Sequence, residues 1–200
     1  MNLRESREQL RLLFETANDA ILLATPGGHI LSANRAACEM FGCTELELRQ
    51  IGRQGITDPT DPRVAHAVQM RNEGGSFRGE LTFVRKGGIK FPGEVSTALM
   101  GATGGQQIAT VFVRDITKRK RLEAEQANAL SLLQAAIESS GEGLLVVDMR
   151  GRVTIYNRRF VELWRIPDAV LARREDNQLL HHVLDQLSEP DEFHATVKHL

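Results

Sequence analysis

His66, Glu94, Ser96, Thr97 and Thr110 are the side chains in the first half of this sequence that could support acid–base or nucleophilic chemistry. They stand 28, 2, 1 and 13 positions apart. A nucleophile needs a base within hydrogen-bond reach and a third group to orient that base. No triad or dyad is written at these spacings. His181 and His182 lie side by side in LLHHVLDQL and read as a solvated pair. The cysteines are Cys38 and Cys43, five apart, read on different faces of one helix, with no disulfide framework. No zinc spacing and no H-E-x-x-H occurs, and GGHILSANR and GATGG lack the Lys-Ser/Thr that a phosphate-binding glycine loop requires. A stand-alone small-molecule enzyme would have to rest on those first five side chains alone. The chemistry expected here is recognition rather than turnover.

The totals agree with an ordinary globular chain. There are 200 residues, 42% hydrophobic and 26% charged, with a net charge of −1. No global field favours nucleic acid, and the basic run Lys118–Arg121 reads as solvated. No apolar run reaches the roughly 18 residues of a membrane span, and the N-terminus lacks the apolar block of a secretory signal. A cytoplasmic chain, or a cytoplasmic piece of a longer one, is expected.

One pattern is written twice. GHILSANRAACEMFG at 28–42 and GRVTIYNRRFVELWR at 151–165 share a frame 123 positions apart. Over 14–48 and 137–171, seven of 35 ungapped pairs are identical: Glu15/Glu138, Leu22/Leu145, Gly28/Gly151, Asn34/Asn157, Arg35/Arg158, Glu39/Glu162 and Leu48/Leu171. A long period signals repeated domains. AILLA and LLVV read as short buried strands, each followed by a glycine turn and a second strand. Asn34 and Asn157 then stand where a helix starts and can cap it. Thr44 with Glu47 has the spacing of a capping box. Pro62 opens a further helix that Gly74–Gly75 closes. Three strands follow, in SFRGELTFVRK, IKFPGEVSTALM and QQIATVFVRD. The result is an α+β domain of five strands with helices in the middle. Val111, Phe112 and Val113 are apolar in succession, so both sheet faces should be covered. The N-terminal helix, with Leu3, Leu10, Leu13 and Phe14 on one stripe, is the expected cover for the second face.

This element order, NRAACEMFG after the hairpin, the FPGEVS strand and the closing VFVRDITKRK resemble the PAS domain family of bacterial signalling proteins. The resemblance implies a five-stranded antiparallel sheet holding a pocket under helices on one face, then a helical connector. It divides the chain into an N-terminal helix (1–9), a first PAS domain (10–117), a connector (118–136) and the front part of a second PAS domain (137–200). Offset onto the first copy, Leu200 falls on Phe77, where the long strands begin, so a truncated second domain is expected. The pocket candidates are Leu23, Ile30, Met40, Ile56, His66, Val68, Leu81, Val95 and Val111. Asp115, Ile116 and Thr117 form the signal exit, with Arg119 placed to pair with Asp115 across the first helical turn.

No cofactor is expected. The family's flavin photoreceptors carry a reactive cysteine just after the short helices, where RQIGRQG has none. Its haem binders use a mid-domain histidine, and His66 is a lone histidine there. The resemblance implies a non-catalytic sensor that dimerises through the N-terminal helix and the connector. It would serve a histidine kinase or a cyclic-dinucleotide synthase or phosphodiesterase, with the effector domain beyond these residues and no nucleic acid partner. An interaction scaffold without ligand is the alternative.

Overall fold

The computed structural model describes residues 3–101, 106–148, 153–167, 170, 182 and 186. The chain divides into two compact units, Met1–Glu123 and Ala124–Leu200.

In the first unit α1 (Leu3–Thr16) leads into a hairpin of β1 (Ala20–Ala24) and β2 (Ile30–Ala33). Three helices follow, α2 (Arg35–Phe41), α3 (Glu45–Ile56) and α4 (Arg63–Gly74), and then β3 (Ser76–Val84), β4 (Lys90–Gly101) and β5 (Gln107–Asp115). The five strands pair antiparallel in the order β2-β1-β5-β4-β3, so the closing strand lies between the first hairpin and the last. α1 runs past the boundary expected at residue 9, because Leu10, Leu13 and Phe14 continue the same helical stripe.

Capping fixes where the helices begin and end. Asn34 accepts from Ala37 N–H at the start of α2, and Gly42, with φ 68°, ends it. Cys43 therefore lies beyond α2 rather than within it, and both cysteines are free. Thr44 and Glu47 form the reciprocal capping box of α3. Asp61 Oδ1 accepts from Arg63 N–H at 3.0 Å, capping α4 just before Pro62 would.

The core lies between the inner sheet face and α2–α4, around Leu22, Ile30, Phe41, Leu48 and Val113, each almost wholly buried. Phe41, Phe83 and Phe91 meet with ring centroids 5.8–6.0 Å apart and fill one end solidly. The outer face differs from expectation. Phe112 is 44% exposed and Leu13 of α1 is 69% exposed, so α1 does not cover the sheet within one chain. Its fixed point is instead the β2–α2 corner, where Asn34 and Arg35 N–H bond its last turn and Glu15.

α5 (Thr117–Ser139) leaves the end of β5, with no residue buried along its length. In the second unit β6 (Leu145–Val147) pairs with β7 (Val153–Tyr156), and α6 (Arg158–Leu163) follows under an Asn157 cap. Phe160 and Ile166 are buried there, with Trp164 packed against them. Gly151, Leu171, Leu179, Leu180, His181 and Leu200, all in the expected second domain, lie outside the described residues.

Candidate functional site

A cavity of about 60 Å³ lies under the inner sheet face. Leu22, Ala24 and Ile30 wall it from the first hairpin, Phe77, Leu81 and Phe83 from β3. Val95 and Thr97 of β4 and Val111 of β5 complete the sheet side. Ile56 and Arg53 of α3 and Val64, Ala67, Val68 and Arg71 of α4 close it from above. The volume corresponds to roughly five water-sized probes, enough for a small ligand.

Six of the nine pocket candidates line this cavity: Ile30, Ile56, Val68, Leu81, Val95 and Val111. Three do not. Leu23 lies on the other sheet face, because Leu22 pairs with Val111 and shares its inward side. Met40 packs against the core but does not line the cavity. His66 is exposed on α4, one position before the buried Ala67. Of the polar candidates only Thr97 reaches the cavity; Glu94 and Ser96 alternate to the other side of β4.

Sequence reasoning missed Arg53 and Arg71. The segment RQIGRQG lies inside α3, where Gly52 takes φ 59° and ψ −167° and breaks the helical path. After this kink Arg53 N–H donates to Gly28 O at 2.8 Å. Gly28, at φ 97°, is buried against the Arg53 side chain, and an added Cβ would meet Arg53 Cβ and Cζ at 3.0 Å. Two glycines therefore bring an arginine into an apolar chamber. Arg71 is 4% exposed, and its Nη2 donates to Pro26 O at 2.6 Å and Asn72 Oδ1 at 3.0 Å. Burial, with the Arg53 guanidinium nearby, pushes Arg71 below arginine's ordinary value. The usable signal was an arginine directly after a helix-breaking glycine, facing a turn glycine.

The exit is built differently from the expected Asp115–Arg119 pair. Asp115 accepts from Thr117 N–H at 2.8 Å and pairs with Arg85 at the end of the β3–β4 hairpin. Burial pushes the Asp115 carboxyl up, but the bonds from Thr117 and Arg85 outweigh it and leave the carboxyl below its ordinary value. Arg119 and Lys120 reach Glu80 on β3 at 2.7 and 2.8 Å. Ile116 is buried at the same junction. Strand β5, the β3–β4 hairpin and the first turn of α5 thus meet at one polar joint.

Among the described residues no group of three or more His, Cys, Asp and Glu is placed to hold a metal. Nor is any helix of the described residues long and apolar enough to cross a membrane.

A five-stranded antiparallel sheet over a small cavity, with its last strand running into a helix, is the architecture of the first unit. Residues 8–74 and 131–197 both match the PAS domain family, and the chain belongs to that family. It is similar to sporulation kinase E of Bacillus subtilis (strain 168), at 26% identity over 76% of this chain and 20% of that protein. The methyl sulfide methyltransferase-associated sensor of Methanosarcina acetivorans is 30% identical over 68% of this chain and 14% of its own length. The probable diguanylate cyclase DgcE of Escherichia coli is 23% identical over 83% of this chain and 15% of its own length. The chain thus spans a fifth or less of these curated relatives. A PAS domain from a two-component sensor histidine kinase matches at a TM-score of 0.51 and 18% identity, over 57% of this chain and 99% of that one. An RNA-binding light-oxygen-voltage receptor matches at 0.55 and 17%, over 66% and 39%. Both structural likenesses concern the fold.

Proposed function

We propose that this chain is the sensory and dimerisation region of a larger signal-transduction protein in the cytoplasm. The first PAS domain (10–117) takes a small ligand in its cavity, and the connector (118–136) passes the change to the second domain and to a kinase or cyclic-dinucleotide output. The observation that carries this reading is the cavity itself, enclosed by apolar residues next to strands that end in the Asp115 joint. The kinase and diguanylate cyclase relatives support the kind of output. Two free cysteines suit a reducing compartment. The exposed Leu10, Leu12 and Leu13 of α1 and Leu122, Leu130 and Leu133 of α5 offer the apolar surface on which two copies would associate.

Native mass spectrometry and an absorption spectrum of protein freshly drawn from cells test the sensing half. A retained small molecule, lost when Val68→Trp fills the cavity, is the expected result. No retained molecule, together with no binding from a broad metabolite panel, would favour the interaction scaffold instead.

A further inference from the structure

The cavity is apolar on nearly every wall, yet two of its polar atoms have no partner. Arg53 Nη1 and Thr97 Oγ1 are buried without a hydrogen bond among the described residues. Thr97 is 8% exposed, so this hydroxyl cannot turn to bulk water. A buried donor left unpaired is costly, and unpaired buried groups in a folded chain call for a missing partner. Ordered water could fill the hydrogen bonds. It could not offset the charge, because Arg53 and Arg71 place two guanidinium groups on the same chamber. The carboxylates nearest in sequence are engaged elsewhere, Asp58 by Lys90 at 2.7 Å, Glu47 by Lys86 at 2.6 Å, Asp61 by Arg63 at 2.7 Å and Glu73 by Gln69 at 3.0 Å. Two guanidinium groups on one apolar-walled chamber favour an anion there.

Resting on the sensing reading above, we propose that the ligand is a small apolar monocarboxylate, its carboxylate on the Arg53 guanidinium beside Arg71 and its hydrocarbon body against Ile56, Val68, Leu81 and Val95. Arginine suits this task because its planar fork matches a carboxylate with two parallel bonds. Thr97 supplies a further donor on the sheet wall. The volume limits the whole ligand to roughly four to six non-hydrogen atoms, a carboxylate on a short body. The site also couples binding to the fold. Arg53 is bonded through its backbone to Gly28, so a carboxylate that draws its side chain loads the β1–β2 turn and, through β1, its neighbour β5.

The test uses the full chain with butanoate and butan-1-ol, which share a body and differ in charge. Calorimetry and thermal shift should show butanoate binding at least about ten-fold more tightly than butan-1-ol. Arg53→Met keeps the side chain's apolar stem and removes no hydrogen bond that the fold uses, so the variant should melt like the parent while losing that preference. Thr97→Val should weaken butanoate binding without abolishing it. Equal binding of the two probes, or an unchanged preference in Arg53→Met, overturns the carboxylate assignment and leaves the sensing cavity standing. Binding of neither probe also overturns it; the sensing reading falls as well only if cell-derived protein retains no other ligand.

Discussion

The side-chain amide of Asn34 donates to the carbonyl oxygen of Phe14 at 3.0 Å, tying the last turn of α1 to the first turn of α2. The same side chain donates to Asp19 O at 3.1 Å and accepts from Ile21 and Ala37 N–H, both at 2.9 Å. It is fully buried, with four partners from α1, the α1–β1 link, β1 and α2. As a helix cap alone, Asn34→Ala would cost about 1 kcal/mol. With four backbone groups left unpaired, the expected loss is of the order of 3 kcal/mol. Asn34→Asp keeps the acceptor and removes the two donated bonds, so it should loosen α1 while the cap survives. Urea midpoints, with hydrogen exchange over residues 3–16, separate the two effects. Equal midpoints for Asn34→Ala and the parent would refute this account.

Gly28 should not tolerate a side chain. At φ 97°, with Arg53 in contact, Gly28→Ala is strained both in its backbone and against the guanidinium. A loss of about 1–3 kcal/mol is expected, along with displacement of Arg53 from the cavity. A thermal melt unchanged by Gly28→Ala would show that the turn takes another conformation.

Acid should weaken the α4 end of the first domain through Asp61. The Arg63 guanidinium, with Thr82 and Arg63 N–H groups, holds this carboxyl well below the usual carboxylate range, against burial, which pushes it up. A carboxyl depressed by folding contributes stability that is complete above its unfolded value of about 3.9 and is lost as pH falls through the lower folded value. The contribution is therefore intact at neutral pH and declines progressively as pH falls below about 4. Asp61→Asn should lower stability at pH 7 and flatten the acid limb of a stability–pH curve. Parallel curves for variant and parent would contradict this.

Glu80 should anchor the start of α5. Its carboxylate takes both Arg119 and Lys120, and hydrogen bonding from Lys120 lowers it below its ordinary value. Glu80→Gln is expected to speed amide exchange in the first turns of α5 while the sheet stays protected. The pair is exposed, so the global melt should hardly move. An unchanged exchange rate at 118–123 would place the anchor elsewhere.

Self-association should depend on α1. Leu10→Glu with Leu13→Glu puts two carboxylates on an exposed apolar stripe that contributes little to the single-chain core. The double variant should therefore melt like the parent and sediment as a smaller species. A parent chain that already sediments as a monomer would remove the basis for the dimer.

The elements were legible because their signals are local. Asn34, the Thr44–Glu47 box and Gly75 each mark a helix end by a side chain or backbone angle that needs nothing distant, whereas the stop at Gly42 was read through. Facing was harder. AILLA is apolar at every position, so nothing in it says that Leu22 rather than Leu23 turns inward; that follows only from its pairing with Val111 on β5. The polar part of the cavity was least legible. Arg53 and Arg71 are long charged residues, which ordinarily read as surface. Their burial depends on the Gly52 kink and on Pro26 O, 45 positions from Arg71. The joint at Asp115 was misread for a related reason. A near neighbour, Arg119, was the obvious partner, while Arg85 comes from a hairpin 30 positions earlier.

The Asn157 network has a further consequence, best put in terms of descent. Asn157 donates to Ile137 and Glu142 carbonyls and accepts from Leu144 and Phe160 N–H, each partner 123 positions from its counterpart around Asn34. Glu138 and Glu162 take Arg158 as Glu15 and Glu39 take Arg35. Four of the seven identities between the copies thus belong to one knot of hydrogen bonds. A duplicated segment that drifted in its hydrophobic residues has kept the fastening between an entering helix and its hairpin. By that inheritance, the end of α5 is to the second copy what α1 is to the first. The exit of one module is the entrance of the next, and an array could lengthen by the same rule without inventing a new joint.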